Sequence, residues 1–170
     1  MKSRIILYII LIFTFVTTQV TFLNFISIFG VTPNLVIILI VSISLLEGRL
    51  HGATVGFFTG LCIDAVVGIA LGYHALIGML LGWSLGNINK RVYKENVFVM
   101  AICTFISTIF FESAIIFASY LYSLKIDFLV ILKTIILPEA LLNSLVGGII
   151  FWVIVQINRK VISSEGKSRY

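Results

Sequence analysis

The sequence predicts an all-α, polytopic membrane protein with six transmembrane helices, and three observations lead to that fold class. Of the 170 residues, 60% are hydrophobic and only 11% are charged, whereas soluble domains carry about a quarter charged residues. The mean hydropathy is +1.16. No Lys, Arg, Asp or Glu occurs between Ile5 and Leu46. A water-soluble fold cannot bury so long an uncharged stretch, so membrane-spanning helices are expected.

Six apolar segments form the predicted spans of a single membrane domain that covers residues 1–170. They lie at about 5–23, 33–46, 51–67, 73–89, 96–122 and 130–157. A spanning helix takes about 20 residues, so the second and third segments are short. The first follows a basic N-terminus, as in a signal peptide. It lacks a small-x-small cleavage site, and we therefore interpret it as a retained helix.

The basic residues predict the orientation of these spans. If both termini are cytoplasmic, ten of the twelve Lys and Arg residues fall in cytoplasmic segments. The cytoplasmic set is Lys2, Arg4, Arg49, Lys90, Arg91, Lys94, Arg159, Lys160, Lys167 and Arg169, and the outer set is Lys125 and Lys133. Short loops rich in Lys and Arg stay in the cytoplasm. The net charge of +5 is thus explained by topology and by the lipid surface, and no nucleic-acid partner is expected.

Two glycine ladders mark the third and fourth spans. The members are Gly52, Gly56, Gly60 and Asp64 in one span, and His74, Gly78, Gly82 and Gly86 in the next. In antiparallel helices that turn near position 69, Gly52 is expected to face Gly86, Gly56 to face Gly82, Gly60 to face Gly78, and Asp64 to face His74. Small residues repeated every four positions let helix backbones approach closely in lipid. The ladders therefore predict a tightly packed hairpin.

Asp64 and His74 are ionisable residues near the outer end of that hairpin. Ionisable side chains inside a span are costly, so each is a candidate site by default. One interpretation is a proton relay or ligand-binding pair. The other is a hydrogen-bonded clasp that holds the hairpin closed. We favour the clasp, because a single pair lacks the chain of carboxylates that pumps use.

Glu112, Glu139 and Asn143 are further polar residues within predicted spans. Glu139 and Asn143 are one turn apart on the sixth span, so they share a face. Pro138 removes a backbone hydrogen bond and is expected to disturb that helix near Thr134. One interpretation is that the three polar side chains line a polar pocket or a protein contact. The other is that Glu112 is protonated or snorkels and that Glu139 caps polar groups freed by the kink.

Nothing in the sequence predicts catalysis, a metal site or a cofactor. Catalytic triads, Cys/His clusters, the HExxH motif and phosphate-binding loops are absent. Cys62 and Cys103 both fall inside predicted spans, where cysteine behaves as a small apolar residue. The chain is therefore not expected to be an enzyme.

Three sequence runs resemble the family of the bacterial rod shape-determining protein MreD. They are FGVTPNL at 29–35, GATVGFFTGLCID at 52–64 and GYHAL at 72–76. The most specific part is the pattern Gly-Phe-x-x-Gly-Leu-x-x-Asp that ends at Asp64. The family often has Asp after the proline, where this chain has Asn34. The resemblance covers essentially the whole chain in length, number of spans and motif order.

The resemblance implies a non-enzymatic, multi-pass scaffold in the bacterial inner or cytoplasmic membrane. It would work with MreC, and through it with MreB, a RodA-type glycosyltransferase and its transpeptidase, in peptidoglycan synthesis, cell wall organisation and cell shape. The implied fold is similar to the substrate-binding membrane subunits of energy-coupling-factor importers. Such an importer subunit for a vitamin-type molecule is the alternative function. A homodimer stays open, and the contact surfaces expected for MreC are the apolar loop at 24–32 and the face of Glu112, Glu139 and Asn143.

Overall fold

The computed structural model describes residues 2–21, 30–67, 72–88, 96–121 and 127–167, and almost all of them are helical. The helices are α1 (Lys2–Thr21), α2 (Leu35–Glu47), α3 (Arg49–Val67), α4 (Tyr73–Leu85), α5 (Val97–Leu121), α6 (Phe128–Ile131) and α7 (Leu137–Lys167). A π-helical turn, Leu132–Ile136, joins α6 and α7 into one continuous rod. The predicted all-helical fold class is confirmed, and a helix covers most of each predicted span.

Three of the described helical segments are long and apolar enough to cross a membrane. They are Arg4–Thr21, Val97–Phe117 and Phe128–Arg159. The helices Leu35–Glu47 and Tyr73–Leu85 are apolar but shorter. At about 1.5 Å per residue, helices of this length reach only about two thirds of the way across the hydrocarbon core. The chain is thus a membrane protein with helices of unequal length.

Helix α2 is the centre of the bundle. Every residue from Leu35 to Leu46 is buried, and the helix contacts α1, α3, α4, α5 and α7. A helix that is apolar on all sides is expected in such a position. Gly48, at φ 90°, ends α2, and α3 begins at the next residue. Glycine adopts this backbone conformation without strain, so Gly48 alone can end α2 and connect it to α3.

Helices α3 and α4 form the most closely packed pair. A Cβ atom added to Gly78 would lie 2.6 Å from the carbonyl oxygen of Gly56, and one added to Gly52 would lie 2.8 Å from that of Gly82. Gly60 packs in the same way against the backbone of His74. The predicted hairpin with glycines at its interface is therefore present in the structure.

The predicted register of the two ladders is wrong by one helical turn. Gly52 faces Gly82, Gly56 faces Gly78, and Gly60 faces His74, while Gly86 packs against the start of α3 at Gly48 and Arg49. The displacement leaves Asp64 beyond the end of α4 instead of level with its first turn. The physical reason is the hydrogen bonding of Asp64, which is described below.

The rod formed by α6 and α7 changes its hydrogen-bonding pattern just before Pro138. Across the π-helical turn, the N–H of Leu137 donates to the carbonyl oxygen of Leu132, five residues back. Proline has no N–H, so the normal ladder must be interrupted here. The disturbance expected near Thr134 is therefore this π-helical turn. Beyond it, α7 packs along α5.

The outer surface of the bundle is apolar on several helices. Exposed large side chains include Ile9 and Phe13 on α1, Phe58 and Leu61 on α3, Leu80 and Trp83 on α4, Ile106 and Phe110 on α5, and Leu145, Ile149 and Trp152 on α7. Lipid tails are a suitable environment for such faces, whereas water is not. The surface therefore agrees with a membrane location.

Candidate functional site

Asp64 lies near the C-terminal end of α3 and caps the N-terminus of α4. One carboxylate oxygen accepts from the backbone N–H groups of Gly72 at 2.9 Å and Ala75 at 3.1 Å. The other accepts from the backbone N–H of His74 at 3.1 Å and is 2.7 Å from Nδ1 of its ring. The first N–H groups of a helix have no partner within it, and a carboxylate there also stabilises the helix dipole. Asp64 supplies this cap from the preceding helix.

This capping role explains the register of the ladders. The free N–H groups of α4 point out of its end, so an acceptor must lie beyond that end to receive them. Asp64 meets this requirement only if it is one turn above the first turn of α4. The two ladders are therefore offset by one turn, so that Gly60, and not Asp64, is level with His74.

The same bonds bear on the two interpretations of Asp64 and His74. The Asp64 side chain is only 1% exposed, and each of its oxygens has two bonding partners. In the described part of the chain, all four bonds go to Gly72, His74 and Ala75 at the start of α4. A carboxylate so fully occupied with structural donors is suited to hold the hairpin. The geometry therefore favours the clasp.

A second polar network is centred on Asn34, which is the N-cap of α2. Its Oδ1 accepts from the N–H of Ile37 at 3.3 Å, as an N-cap does. Its Nδ2 donates to Glu112 at 3.2 Å, and its backbone N–H donates to Oδ1 of Asn143 at 2.7 Å. Next to it, Gln19 accepts from the N–H of Leu35 at 2.7 Å. The polar start of α2 is thus held by side chains from α1, α5 and α7.

Asn143 connects this network to the interior of the bundle. Its Nδ2 donates to Thr108 at 3.1 Å and to Glu139 at 3.4 Å. Asn143 is fully buried and Glu139 is 8% exposed. The structure therefore brings together the three residues singled out in the sequence, Glu112, Glu139 and Asn143. Sequence reasoning did not find Gln19 or Thr108, because isolated polar residues in apolar segments carry no spacing signal.

The burial of Glu139 and Asn143 limits what their face can contact. Side chains that are 8% or less exposed are not presented to a second protein on the bundle's surface. The other expected contact surface, the loop at 24–32, lies mostly outside the described residues, because 22–29 are not described. Of the three polar residues, Glu112 is the one that borders open space.

That space is a cavity of about 350 Å³ between α1, α2, α3, α4 and α5. Among the described residues, the polar lining is formed by Gln19, Asn34, His74 and Glu112, and the apolar lining includes Val36, Ile63 and Phe111. The two networks meet here, since His74 comes from the Asp64 cap and Glu112 from the Asn34 cluster. The ring of His74 also packs beside that of Phe111, with centroids 6.1 Å apart.

A third polar cluster lies at the opposite end of the bundle, where α2 ends. Glu47 accepts from Arg4 of α1 at 3.1 Å and from Asn158 of α7 at 2.7 Å. The Glu47 side chain is 9% exposed. The sequence suggests only a solvated turn around Glu47, Arg49 and His51. That expectation is wrong for Glu47, because its partners are distant in sequence and spacing does not reveal them.

The described residues offer no arrangement typical of an enzyme. Among them, no group of three His, Cys, Asp or Glu side chains could hold a metal ion. Asp64 and His74 are paired, but no candidate nucleophile is hydrogen-bonded to His74 in the described part of the chain. The polar groups of the site instead hold helix ends and border one cavity.

Comparison with known proteins identifies one family. The family described as rod shape-determining protein MreD matches residues 2–161 of the 170-residue chain. No curated protein and no solved structure matches the chain. The similarity to the substrate-binding subunits of importers, which the sequence resemblance implies, therefore stays a prediction.

Proposed function

Because the chain belongs to the family of the rod shape-determining protein MreD, we propose that it is a non-enzymatic scaffold of the bacterial cell-elongation machinery. In this role it binds the membrane helix of MreC and thereby helps to organise peptidoglycan synthesis with MreB, a RodA-type glycosyltransferase and its transpeptidase. The observation that carries the proposal is the family match over residues 2–161. The members of this family are membrane proteins that determine rod shape.

The interior of the bundle supports a scaffold. The α3–α4 hairpin is packed backbone against backbone at Gly52, Gly56 and Gly60, and Asp64 fixes its outer end through four hydrogen bonds. Contacts of this kind leave little room for the helices to slide, because any shift brings carbonyl groups into collision. A rigid surface loses less entropy when a partner binds to it.

We further propose that the chain is a multi-pass protein of the inner or cytoplasmic membrane, with six spans and both termini in the cytoplasm. The distribution of Lys and Arg supports this orientation. The cluster of Arg4, Glu47 and Asn158 adds a structural argument. Arg4 is at the start of α1 and Asn158 is late in α7, so their shared partner Glu47 supports an orientation with both termini on one side of the bundle.

The outer face of the α3–α4 hairpin is the contact surface that we propose for MreC. It combines large exposed side chains such as Phe58, Leu61 and Trp83 with the rigid backbone beneath them. Helix association in lipid has little hydrophobic driving force, so close packing on a fixed surface must provide the affinity. A partner helix on this face would replace lipid without changing the bundle.

Co-purification of MreC tests this proposal. MreC should be recovered with the wild-type chain from membranes that contain both proteins, and Leu61→Trp on the hairpin face should reduce its recovery. Ile106→Trp, which makes the matched change on the exposed face of α5, should leave recovery unchanged. Absence of MreC from the wild-type complex would contradict the scaffold function. Equal recovery with both variants would contradict only the choice of face.

The cavity is the one observation that favours the alternative, a substrate-binding subunit of a small-molecule importer. Its volume of about 350 Å³ is at the lower end of the range for small-molecule sites. Uptake of a small molecule that depends on this protein, together with normal recovery of the cell shape complex without it, would support the importer function instead.

A further inference from the structure

We propose that the cavity between α1, α2, α3, α4 and α5 binds a primary ammonium group attached to an apolar body. Glu112 and His74 provide acceptors for the ammonium group, and the apolar wall formed by Val36, Ile63 and Phe111 receives the rest of the molecule. This site is independent of the contact with MreC, which we place on the outer face of the hairpin. It also requires no transport.

The hydrogen bonds already made by the lining residues show which groups are available to a ligand. Asn34 uses Oδ1 for the N–H of Ile37 and donates through Nδ2 to Oε1 of Glu112. In the part of the chain that the structure describes, Oε2 of Glu112 has no hydrogen-bond partner. The Glu112 carboxylate therefore still has acceptor capacity in the cavity.

His74 provides the second acceptor. Its Nδ1 is 2.7 Å from the Asp64 carboxylate. A carboxylate at this distance accepts the proton of Nδ1, and in the imidazole tautomer with its proton there Nε2 is an acceptor. In the described part of the chain, Nε2 has no partner. The contact between Nδ1 and Asp64 therefore also determines that Nε2 is the ring nitrogen available to the cavity.

The charge of the lining decides between a cation and an anion. Among the described residues that line the cavity there is no Lys or Arg, and the acidic one is Glu112. Within the described residues, no cation lies within ion-pair distance of that carboxylate. A buried carboxylate without a counter-ion disfavours an anionic ligand and is stabilised by a cationic one. An ammonium group, with three donors and a positive charge, can donate to both acceptors, whereas a hydroxyl has one donor and no charge.

The apolar wall sets the second requirement. Val36, Ile63 and Phe111 offer no polar partner to the part of the ligand that lies against them, so a hydrophilic group there would lose more hydration than it recovers. Both a free arylalkylamine and a phospholipid with an ethanolamine headgroup carry the required chemistry. The experiments below distinguish these two sources.

Binding to the purified full-length chain in dodecyl maltoside gives the direct test. The probes are 2-phenylethylamine, which is cationic, and 2-phenylethanol, its neutral counterpart of the same shape. Isothermal titration should show the amine binding at least about tenfold more tightly than the alcohol, because a hydrogen bond to a charged group is stronger than one between neutral groups. Equal affinities, or no amine binding in either this assay or the lipid assay below, would overturn the proposal.

Two substitutions locate the site. Glu112→Gln keeps the size and hydrogen bonding of the side chain but removes its charge, so the preference for the amine should disappear. Glu47→Gln makes the same change in a carboxylate at the opposite end of the bundle, which is not among the residues that line the cavity, and the preference should remain. An unchanged preference in Glu112→Gln would overturn the proposal. If Glu112→Gln does not fold, Val66→Trp is tested in its place. Val66 lines the cavity and is 56% exposed, so a large ring there should block the opening and weaken binding of the amine.

Native mass spectrometry identifies the source of the ammonium group. Phosphatidylethanolamine should remain bound in preference to phosphatidylglycerol if the source is a lipid, and 2-phenylethylamine should displace it. Amine binding without lipid selectivity indicates a free amine as the ligand. Retention of phosphatidylglycerol in preference to phosphatidylethanolamine would contradict a cation site.

Discussion

Asp64 binds His74 twice across the turn between α3 and α4, through the ring Nδ1 at 2.7 Å and through the backbone N–H at 3.1 Å. One carboxylate thus caps a helix and orients an aromatic ring that borders the cavity. Both contacts with His74 use the same oxygen, so the cap and the ring contact cannot be separated by moving the side chain. Replacing the carboxylate should therefore disturb both the hairpin and the cavity.

Asp64→Asn is the smallest change that tests the clasp. The amide has one acceptor oxygen where the carboxylate has two, so its NH₂ group must face backbone N–H groups such as those of Gly72 and Ala75. We expect a loss of about 1–3 kcal/mol in the free energy of unfolding, the range for lost helix caps and charged hydrogen bonds. Unfolding by sodium dodecyl sulfate in mixed micelles measures this loss.

Asp127→Asn is the matched control, because Asp127 precedes α6 but makes no capping bond with its side chain. It should change the free energy of unfolding by less than about 0.5 kcal/mol. A stable Asp64→Asn protein that no longer supports rod shape would contradict the clasp and favour a proton relay.

The ladders show how far spacing alone determines a hairpin. Glycines at every fourth position predict which helix faces meet, and the structure confirms that these faces pack. The spacing cannot fix the register, since sliding one helix by a turn again places glycine against glycine at Gly56 and Gly78. The register is determined by the cap that Asp64 gives to α4, which depends on where α4 begins. That position follows from Gly72, at φ 96°, and not from the repeat.

The Asn34 network shows the other limit of the sequence. Glu112, Glu139 and Asn143 stand out because polar residues in apolar segments are costly. Their common partner, Asn34, looks like an ordinary helix cap, and its contacts to Glu112 and Asn143 link residues 78 and 109 positions apart. Such pairings depend on the packing of three helices around α2, and hydrophobic periodicity does not encode them.

Gly56→Ala tests the backbone contact of the hairpin. An added Cβ would collide with the carbonyl group of Gly78, which is backbone and cannot move aside. Alanine is the better helix former by about 1 kcal/mol, so any net destabilisation must come from this collision. We expect the free energy of unfolding to fall by more than about 2 kcal/mol, measured by unfolding with sodium dodecyl sulfate in mixed micelles.

Gly147→Ala is the control for this substitution. A Cβ at Gly147 would have its nearest neighbours at 3.6 Å, all of them side-chain atoms. The change should be neutral or stabilising, because the gain in helix propensity meets no collision. If both variants were equally stable, the close approach of α3 and α4 would be disproved.

Asn143→Leu tests the buried network. The change leaves the N–H of Asn34 and the hydroxyl of Thr108 without the partner they have now. Interhelical hydrogen bonds in membrane proteins contribute about 0.6 kcal/mol on average and up to about 1.7 kcal/mol, so we expect a loss of about 1–3 kcal/mol. Asn87→Leu is the control, because Asn87 is exposed and, in the described part of the chain, its amide donates within its own segment to Trp83. Equal stability of both variants would mean that the network contributes nothing.

Arg4 and Glu47 allow the tie between α1 and α2 to be measured as a coupling energy. The two side chains are 31% and 9% exposed, so water and salt screen the pair in part, and the coupling should be no more than about 1 kcal/mol. A double-mutant cycle with Arg4→Met and Glu47→Gln isolates this coupling from the bond that Glu47 also makes with Asn158. The coupling should shrink when sodium chloride is raised, whereas the effect of Asn158→Ala should not. Strictly additive effects of Arg4→Met and Glu47→Gln at low salt would show that the ion pair does not hold α1 to the bundle.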